Sequence, residues 1–233
     1  MINKSARHSR MTAAERQNQL LEVAMSAFAR RGFKGTTTKE IAAAAGVAEA
    51  VIFQHFPSKE ALYSAVLDLH LDAADEQKWI KGISDCMERN DDEGVIQSLI
   101  RRILNSYRWN PLIERVILFA ALEGHEQGLS RMKKQFAPVL ERFMEYIARR
   151  QREGAFVNCN PHAIMTGLGG IAHQYGLITQ IFGGPAPDVS DEEIAQVFTL
   201  ILLHGIRQQS STKANGDKTT QKSAKKSARK AKK

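Results

Sequence analysis

Cysteine is nearly missing from this chain: Cys86 and Cys159 are its two copies in 233 residues, far apart in sequence. That excludes a disulfide-stapled scaffold, and both are read as reduced thiols in a cytoplasm, with a redox sensor as the alternative. Apolar runs long enough to cross a bilayer are also missing, so no membrane span is expected. The basic opening MINKSARHSR leads into a polar stretch, Thr12 to Gln19, so no secretory signal is read there. No convincing strand pattern occurs; Ile178 to Phe182 has strand-like composition but continues a helical period. No internal repeat is found. No residue set suits nucleophilic or acid–base catalysis. His125, His162 and His173 lack zinc spacing. Gly167 to Gly170 has neither a preceding strand nor the GxGxxG form of a nucleotide loop. The expectation is a non-enzyme with no metal and no cofactor.

What the chain does have is charge, unevenly placed. Hydrophobic residues make up 43% of the sequence, enough for a real core, and the net charge is +8. Residues 1–60 carry +4, residues 61–210 carry −4 and residues 211–233 carry +8. A phosphate-binding head, a mildly acidic body and a basic tail are what this division suggests. The tail KANGDKTTQKSAKKSARKAKK has no hydrophobic residue larger than Ala, so it cannot bury a core and reads as disordered in isolation.

Helix signals fill the rest. Thr12 and Glu15 have capping-box spacing, which predicts a helix from about Ala13 to Arg31, stopped by Gly32. Thr37 and Glu40 repeat the spacing and predict a short helix, Lys39 to Ala45, ended by Gly46. Val47, Ile52 and Phe56 then mark a second short helix on the same core. Ser58 predicts a helix reaching about Trp79. Cys86 to Gly94 is acidic and reads as a loop or weak turn. Further helices are predicted over about Glu93–Tyr107 and from Pro111 through Glu123. Leu129–Arg152 follows, with Pro138 kinking or dividing it. Pro161–Phe182 opens on Asn160, and a last helix from Ser190, in a third capping box, runs to about Gln208.

Two short helices around a glycine turn are the helix-turn-helix unit, whose second helix lies in the major groove; the same pattern also suits an ordinary helical hairpin. The wording of the segment is more specific. Ala27-Phe28, Gly32-Phe33, Thr36-Thr37, Ile41-Ala42, Ala45-Gly46-Val47, Ile52-Phe53-Gln54-His55-Phe56 and Ser58-Lys59-Glu60-Ala61-Leu62 closely resemble the DNA-binding domain of TetR/AcrR bacterial regulators. The resemblance covers about residues 14–74; beyond it the chain matches that family only in length and helical character. It implies an all-α fold: a basic arm (1–13), a TetR-type DNA-binding domain (14–74, with its helix-turn-helix at about 37–56), a helical effector-binding and dimerisation domain (75–210) and the tail (211–233). It implies a cytoplasmic, nucleoid-associated dimeric repressor released from double-stranded operator DNA by a small-molecule effector.

Carried onto this sequence, the resemblance makes about Ala48–His55 the recognition helix. Gln54 has the geometry to pair with an adenine edge, and Ala50 and Val51 to touch thymine methyls. Thr37, Thr38, Lys39, His55 and Lys59 are placed for phosphates; His55 also suits a packing role. Three positions depart from the family pattern. Ala48 stands where a capping Ser is common, a loss of about 1 kcal/mol. Phe53 stands where Tyr is common, so no hydroxyl reaches a phosphate there. Glu49 favours the helix dipole but repels phosphate unless it accepts from cytosine N4. With no Arg or Lys on this helix, the basic ends are expected to add affinity: the tail non-specifically, and Lys4, Arg7 and Arg10 in a minor groove.

In the body, Ala163, Gly167, Gly169, Gly170 and Ala172 permit close helix approach. A homodimer through helices of about 161–182 and 190–208 is expected; packing within one subunit is the alternative. An effector pocket is expected among Tyr107, Trp109, Phe119, His125, Met132, Phe136, Met144 and His173, each of which also suits ordinary core or surface. Glu123 and Glu126 read as a solvated helix end. Two readings rival this one for the whole chain: a nucleoid-type DNA-coating protein driven by its tail, and a helical enzyme or small-molecule carrier without DNA function, against which the Thr36 to Leu62 pattern argues.

Overall fold

The computed structural model describes residues 11–69 and 73–208, without the side chains of 73–75, 127, 128, 131, 132 and 135. The basic arm through Arg10 and the lysine-rich tail lie outside the described residues. Helix α1 (Ala13–Arg31) opens on a capping box: the Thr12 hydroxyl accepts from the Glu15 amide while the Glu15 carboxylate accepts from the Thr12 amide. Helix α2 (Thr38–Ala45) repeats this with Thr37 and Glu40. Gly46, at φ 68°, closes α2 in the left-handed conformation; the Gly46 and Val47 amides satisfy the Ala43 and Ala42 carbonyls. Helix α3 (Glu49–His55) follows, then α4 (Lys59–Asp68), capped by the Ser58 hydroxyl. Leu20, Ala24, Phe28, Ile41, Ile52, Leu62, Tyr63 and Val66 are fully buried together in the head core.

The body contains α5 (Ala73–Glu88), α6 (Asp92–Trp109), α7 (Pro111–Leu122), α8 (Glu126–Arg152), α9 (Pro161–Gly176) and α10 (Asp191–Ile206). α9 passes into one π-helical turn, Leu177–Ile181. α6 is central to the body, packed by α5, α9 and α10. Its core gathers Ile96, Ile100, Leu104, Phe143, Ile147 and Ala172, among others. α7 is shared between the two halves: Ile113, Val116 and Ala120 complete the head core, and the Val116 carbonyl accepts the Tyr63 hydroxyl at 3.2 Å.

The predicted helix from Ser58 to Trp79 is two helices. Periodicity runs through both stretches, but Leu62, Tyr63, Val66 and Leu67 bury into the head whereas Ile83 and Met87 bury into the body. The acidic stretch 86–94 is mostly helix, because Ile83 and Met87 anchor α5 as far as Glu88. Only Arg89–Asp91 turns the chain, with Asn90 at φ 55° and Asp91 capping α6. Pro138 does not divide α8; it is exposed, so the carbonyl it deprives of a donor faces water. α10 stops at Ile206, because the next residues pair with the loop after α8. There Phe156 and Arg207 form an isolated antiparallel bridge, with Val157 N donating to Ile206 O at 2.8 Å and Gln208 N to Ala155 O at 2.9 Å. At Ser190 only half of a capping box forms: its hydroxyl accepts from the Glu193 amide. Among the described residues no helix is long and apolar enough to cross a membrane.

Candidate nucleic-acid interface

Helix α3 is seven residues long, and what holds it decides what it presents. Ile52 is fully buried and Phe56, just past its end, nearly so. Those anchors turn Ala50, Phe53 and Gln54 outward, and Phe53 keeps 47% of its surface exposed. α3 packs on α2, whereas the body sits on α1 and α4, so the outer face of α3 points away from the body. Ala48, at the cap position, makes no side-chain bond to the first turn.

A bond across the turn takes up part of that role. The Thr38 hydroxyl donates to Glu49 Oε1 at 2.5 Å, tying the first residue of α3 to the first residue of α2. Sequence periodicity cannot show this pair, since the two residues meet only when Gly46 folds the helices together. Glu49 therefore has one oxygen engaged and one left for another donor. Thr37 is committed to its capping box, and Lys39 is exposed beside it. His55 is half-buried against Phe56, with ring centroids 6.5 Å apart. The Lys59 ammonium lies 4.2 Å from the centre of the Phe33 ring, so its charge is partly held by the head.

The largest departure from the sequence reading is at Glu123. It is not a solvated helix end. Its carboxylate accepts the Phe33 amide at 2.9 Å and the Lys34 amide at 3.2 Å, and the Lys34 ammonium donates to its carbonyl at 3.3 Å. This cluster joins the turn after α7 to the turn between α1 and α2. Gly32, at φ 69°, makes the approach possible: any β-carbon there would overlap the Glu123 carboxylate and the Phe119 ring. Beneath the contact, His125 stands with its ring centre 4.7 Å from those of both Phe33 and Tyr63. Its Nδ1 is buried with no hydrogen-bond partner among the described residues. Burial also pushes the Tyr63 hydroxyl well above the usual phenol range. No sequence signal marked Glu123, because the amides it satisfies are about ninety positions earlier.

The residues expected to line an effector pocket fall in separate places. Tyr107 and His173 meet, hydroxyl to Nδ1 at 3.3 Å. Phe119 and His125 belong to the head–body contact. Trp109 is 90% exposed at the end of α6. Phe136 is half-buried on α8, which also carries Met132. Met144 lines an open surface groove with Leu140 and His162. A different set lines a partly open cavity of about 80 Å³ between α5 and α8: Ile80, Ile83, Met87, Pro138, Val139, Phe143 and Arg142, which donates to Ser84 at 2.7 Å. Among the described residues no three His, Cys, Asp or Glu side chains gather as a metal site would require.

Comparison with known proteins bears on the same segment. The family model described as bacterial regulatory proteins, tetR family, matches residues 20–66, which hold α2, α3 and most of the head core. The HTH-type transcriptional regulator RutR of Escherichia coli K12 is 25% identical over 211 residues, covering 88% of this chain and 97% of RutR. The nucleoid occlusion factor SlmA of Haemophilus influenzae is 30% identical over 164 residues, covering 67% of this chain and 72% of SlmA. A crystal structure of a TetR family transcription regulator from Marinobacter aquaeolei superposes with a TM-score of 0.58 at 16% identity, over 83% of this chain and 96% of that one. A helix-turn-helix with an outward second helix, a helical body seated on α1 and α4, and relatives spanning most of the chain lead to one assignment. This protein belongs to the TetR family of DNA-binding transcriptional regulators.

Proposed function

We propose that the chain is a homodimeric repressor whose two α3 helices enter successive major grooves of a pseudo-palindromic operator, about 34 Å apart. The observation that supports it most is the face shared by α9 and α10. Val197, Leu200 and Ile201 are 46%, 59% and 57% exposed on α10, a cluster that one subunit leaves wet. A β-carbon added at Gly167, Gly170 or Gly205 would meet nothing within 4 Å. Packing inside one subunit therefore gives no reason for glycine at these positions, whereas a second copy pressing its helices against them does. The dimer formed there is a four-helix contact.

On the operator, Gln54 reads an adenine, Ala50 and Val51 contact thymine methyls, and the free oxygen of Glu49 accepts from a cytosine amine. Phe53 adds apolar contact where it projects from α3. Lys39, His55 and Lys59 hold phosphates and set register, and Thr37 and Thr38 join them where their hydroxyls exchange Glu40 and Glu49 for a phosphate oxygen. An apolar effector enters between α5 and α8, enlarging the cavity around Phe143 and Met87. About 80 Å³ is well below the roughly 300 Å³ of a drug-sized site, so binding requires those helices to part. The strain passes along α8 to the turn at Glu123 and from there to Phe33 and Lys34. The effector must prefer the state in which the two α3 helices are wrongly spaced, since equal affinity for both states shifts nothing.

Selection of bound duplexes from a random pool with the full chain tests the proposal. A two-fold-related motif, preferred over random DNA by about a thousandfold or more, is the expected result. Recovery of no motif would overturn it.

A further inference from the structure

Helix α3 carries one acid and no Lys or Arg. Among the described residues that acid, Glu49, has a single bonded partner, and it is a neutral one: the Thr38 hydroxyl, donating to Oε1 at 2.5 Å. A hydroxyl-to-carboxylate bond of this length belongs to the short, charge-assisted class, roughly twice as strong as a neutral bond. The threonine next to it is arranged differently. The Glu40 carboxylate accepts the Thr37 hydroxyl at 3.0 Å, but also the Thr37 amide at 2.9 Å and the Arg31 guanidinium at 2.8 Å. Without the Thr37 hydroxyl, Glu40 is still held at both oxygens. Without the Thr38 hydroxyl, Glu49 is held at neither.

A threonine hydroxyl has one proton to give. Given to a phosphate, the Thr38 proton leaves a loose carboxylate among phosphates, where like charge repels it. Kept on Oε1, it restrains the carboxylate and leaves Oε2 to accept from another donor. Glu49 stands four positions before Phe53, on the stripe of α3 that also turns Ala50 outward. In a major groove, cytosine meets that stripe with a donor alone, its N4 amine. Adenine sets its amine beside an acceptor, and guanine and thymine offer acceptors.

From this geometry we propose that Thr38 is a positioning residue for base readout: without touching a base, it holds Glu49 so that α3 selects cytosine at one position of each half-site. The inference rests on the operator reading above. Of the two uses open to Thr38, a phosphate or Glu49, the operator complex keeps the second, while the Thr37 hydroxyl is free to turn to the backbone. Holding the carboxylate beforehand sharpens selection in two ways. A tethered Glu49 has less rotamer freedom to lose on meeting the cytosine amine. Facing guanine or thymine, it cannot swing clear, so its oxygen stays opposed to another acceptor and the wrong base is penalised.

The test compares base preference with overall affinity. A duplex recovered by selection with the full chain is remade with each base in turn at every position of the half-site. Binding is measured for the natural chain, Thr38→Val, Thr38→Ser, Glu49→Ala and the double variant Thr38→Val with Glu49→Ala, each first shown to be folded by its melting curve; Thr38→Ala stands in if Thr38→Val does not fold. The natural chain should prefer cytosine at one position by about 5–150-fold, a preference that Glu49→Ala removes. Thr38→Val should reduce the same preference at least about threefold and leave every other position as it was, and Thr38→Ser should keep it. Once Glu49→Ala is in place, adding Thr38→Val should change base preference no further. Equal weakening on all duplexes with the cytosine preference intact is the mark of a lost phosphate contact and overturns the proposal. A motif without a cytosine that depends on Glu49 overturns it too, and leaves the operator reading standing. Recovery of no motif overturns both.

Discussion

In the head, each helix start except that of α3 carries a side-chain cap, the core residues are buried, and the connecting turn is held from outside by Glu123. Along α9 and α10 of the body, large apolar side chains and bare glycines face open space. The difference separates two kinds of specification. The head is completed by its own chain and leaves its outer face free for a ligand of another kind. The body leaves an apolar face uncovered, and in the proposed dimer a second copy covers it.

The strongest way to break this contrast is to charge the open face. Changing Leu200→Glu together with Ile201→Glu should turn the dimer into a monomer by light scattering. It should also weaken operator binding by about 10²–10⁴, because two linked half-sites become two separate ones. Gly167→Leu sharpens the same point. The β-carbon it adds meets nothing within 4 Å in one protomer, and the longer side chain projects outward from it, so the thermal unfolding of the monomer should hold while association weakens.

Next in size is the head–body contact. Glu123→Ala leaves the partly buried amide of Phe33 without its acceptor and should cost about 1–3 kcal/mol. Hydrogen exchange should accelerate at Phe33 and Lys34 and stay unchanged around Asp92 and Arg150. Similar protection at Phe33 in the variant would mean that Glu123 does not hold the turn. On the outer face, Gln54→Ala should cost about 1–3 kcal/mol of discrimination and relax preference at one base position, with no change in salt slope. Smaller still, Ala48→Ser should stabilise the protein by about 1 kcal/mol, read as a raised melting temperature, by supplying the missing cap of α3.

The last test concerns acid. Hydrogen bonds from Thr37, the backbone amide foremost, hold the Glu40 carboxyl below the usual carboxylate range, with the Arg31 guanidinium adding to the effect. A depressed acid contributes stability that is present above its unfolded value and is lost as pH falls through the folded one. Glu40→Gln should therefore lower stability at neutral pH and leave the strongly acid end nearly unchanged, so that the acid side of the stability curve flattens, as followed by denaturant unfolding at a series of pH values.

How far the sequence could be read follows from the range of each signal. Thr12, Thr37, Gly32 and Gly46 act on neighbours within a few positions, so α1, α2 and the turn before α3 were legible nearly to the residue. The boundary between α4 and α5 was not, since apolar spacing does not say which core a stripe enters. Glu123 on Phe33 and Thr38 on Glu49 depend on chain segments brought together only by folding, and neither has a local signature. The aromatic and methionine residues of the body showed helical spacing without direction: Trp109 faces solvent while Tyr107, two positions earlier, is buried.

The part played by α7 in the head has a practical outcome. Cut away at residue 75, the N-terminal segment would lose Ile113, Val116 and Ala120 from its interior and the carbonyl that receives the Tyr63 phenol. Such a fragment would offer a greasy opening where a wall used to be. The head therefore closes its core only with a wall lent by the body.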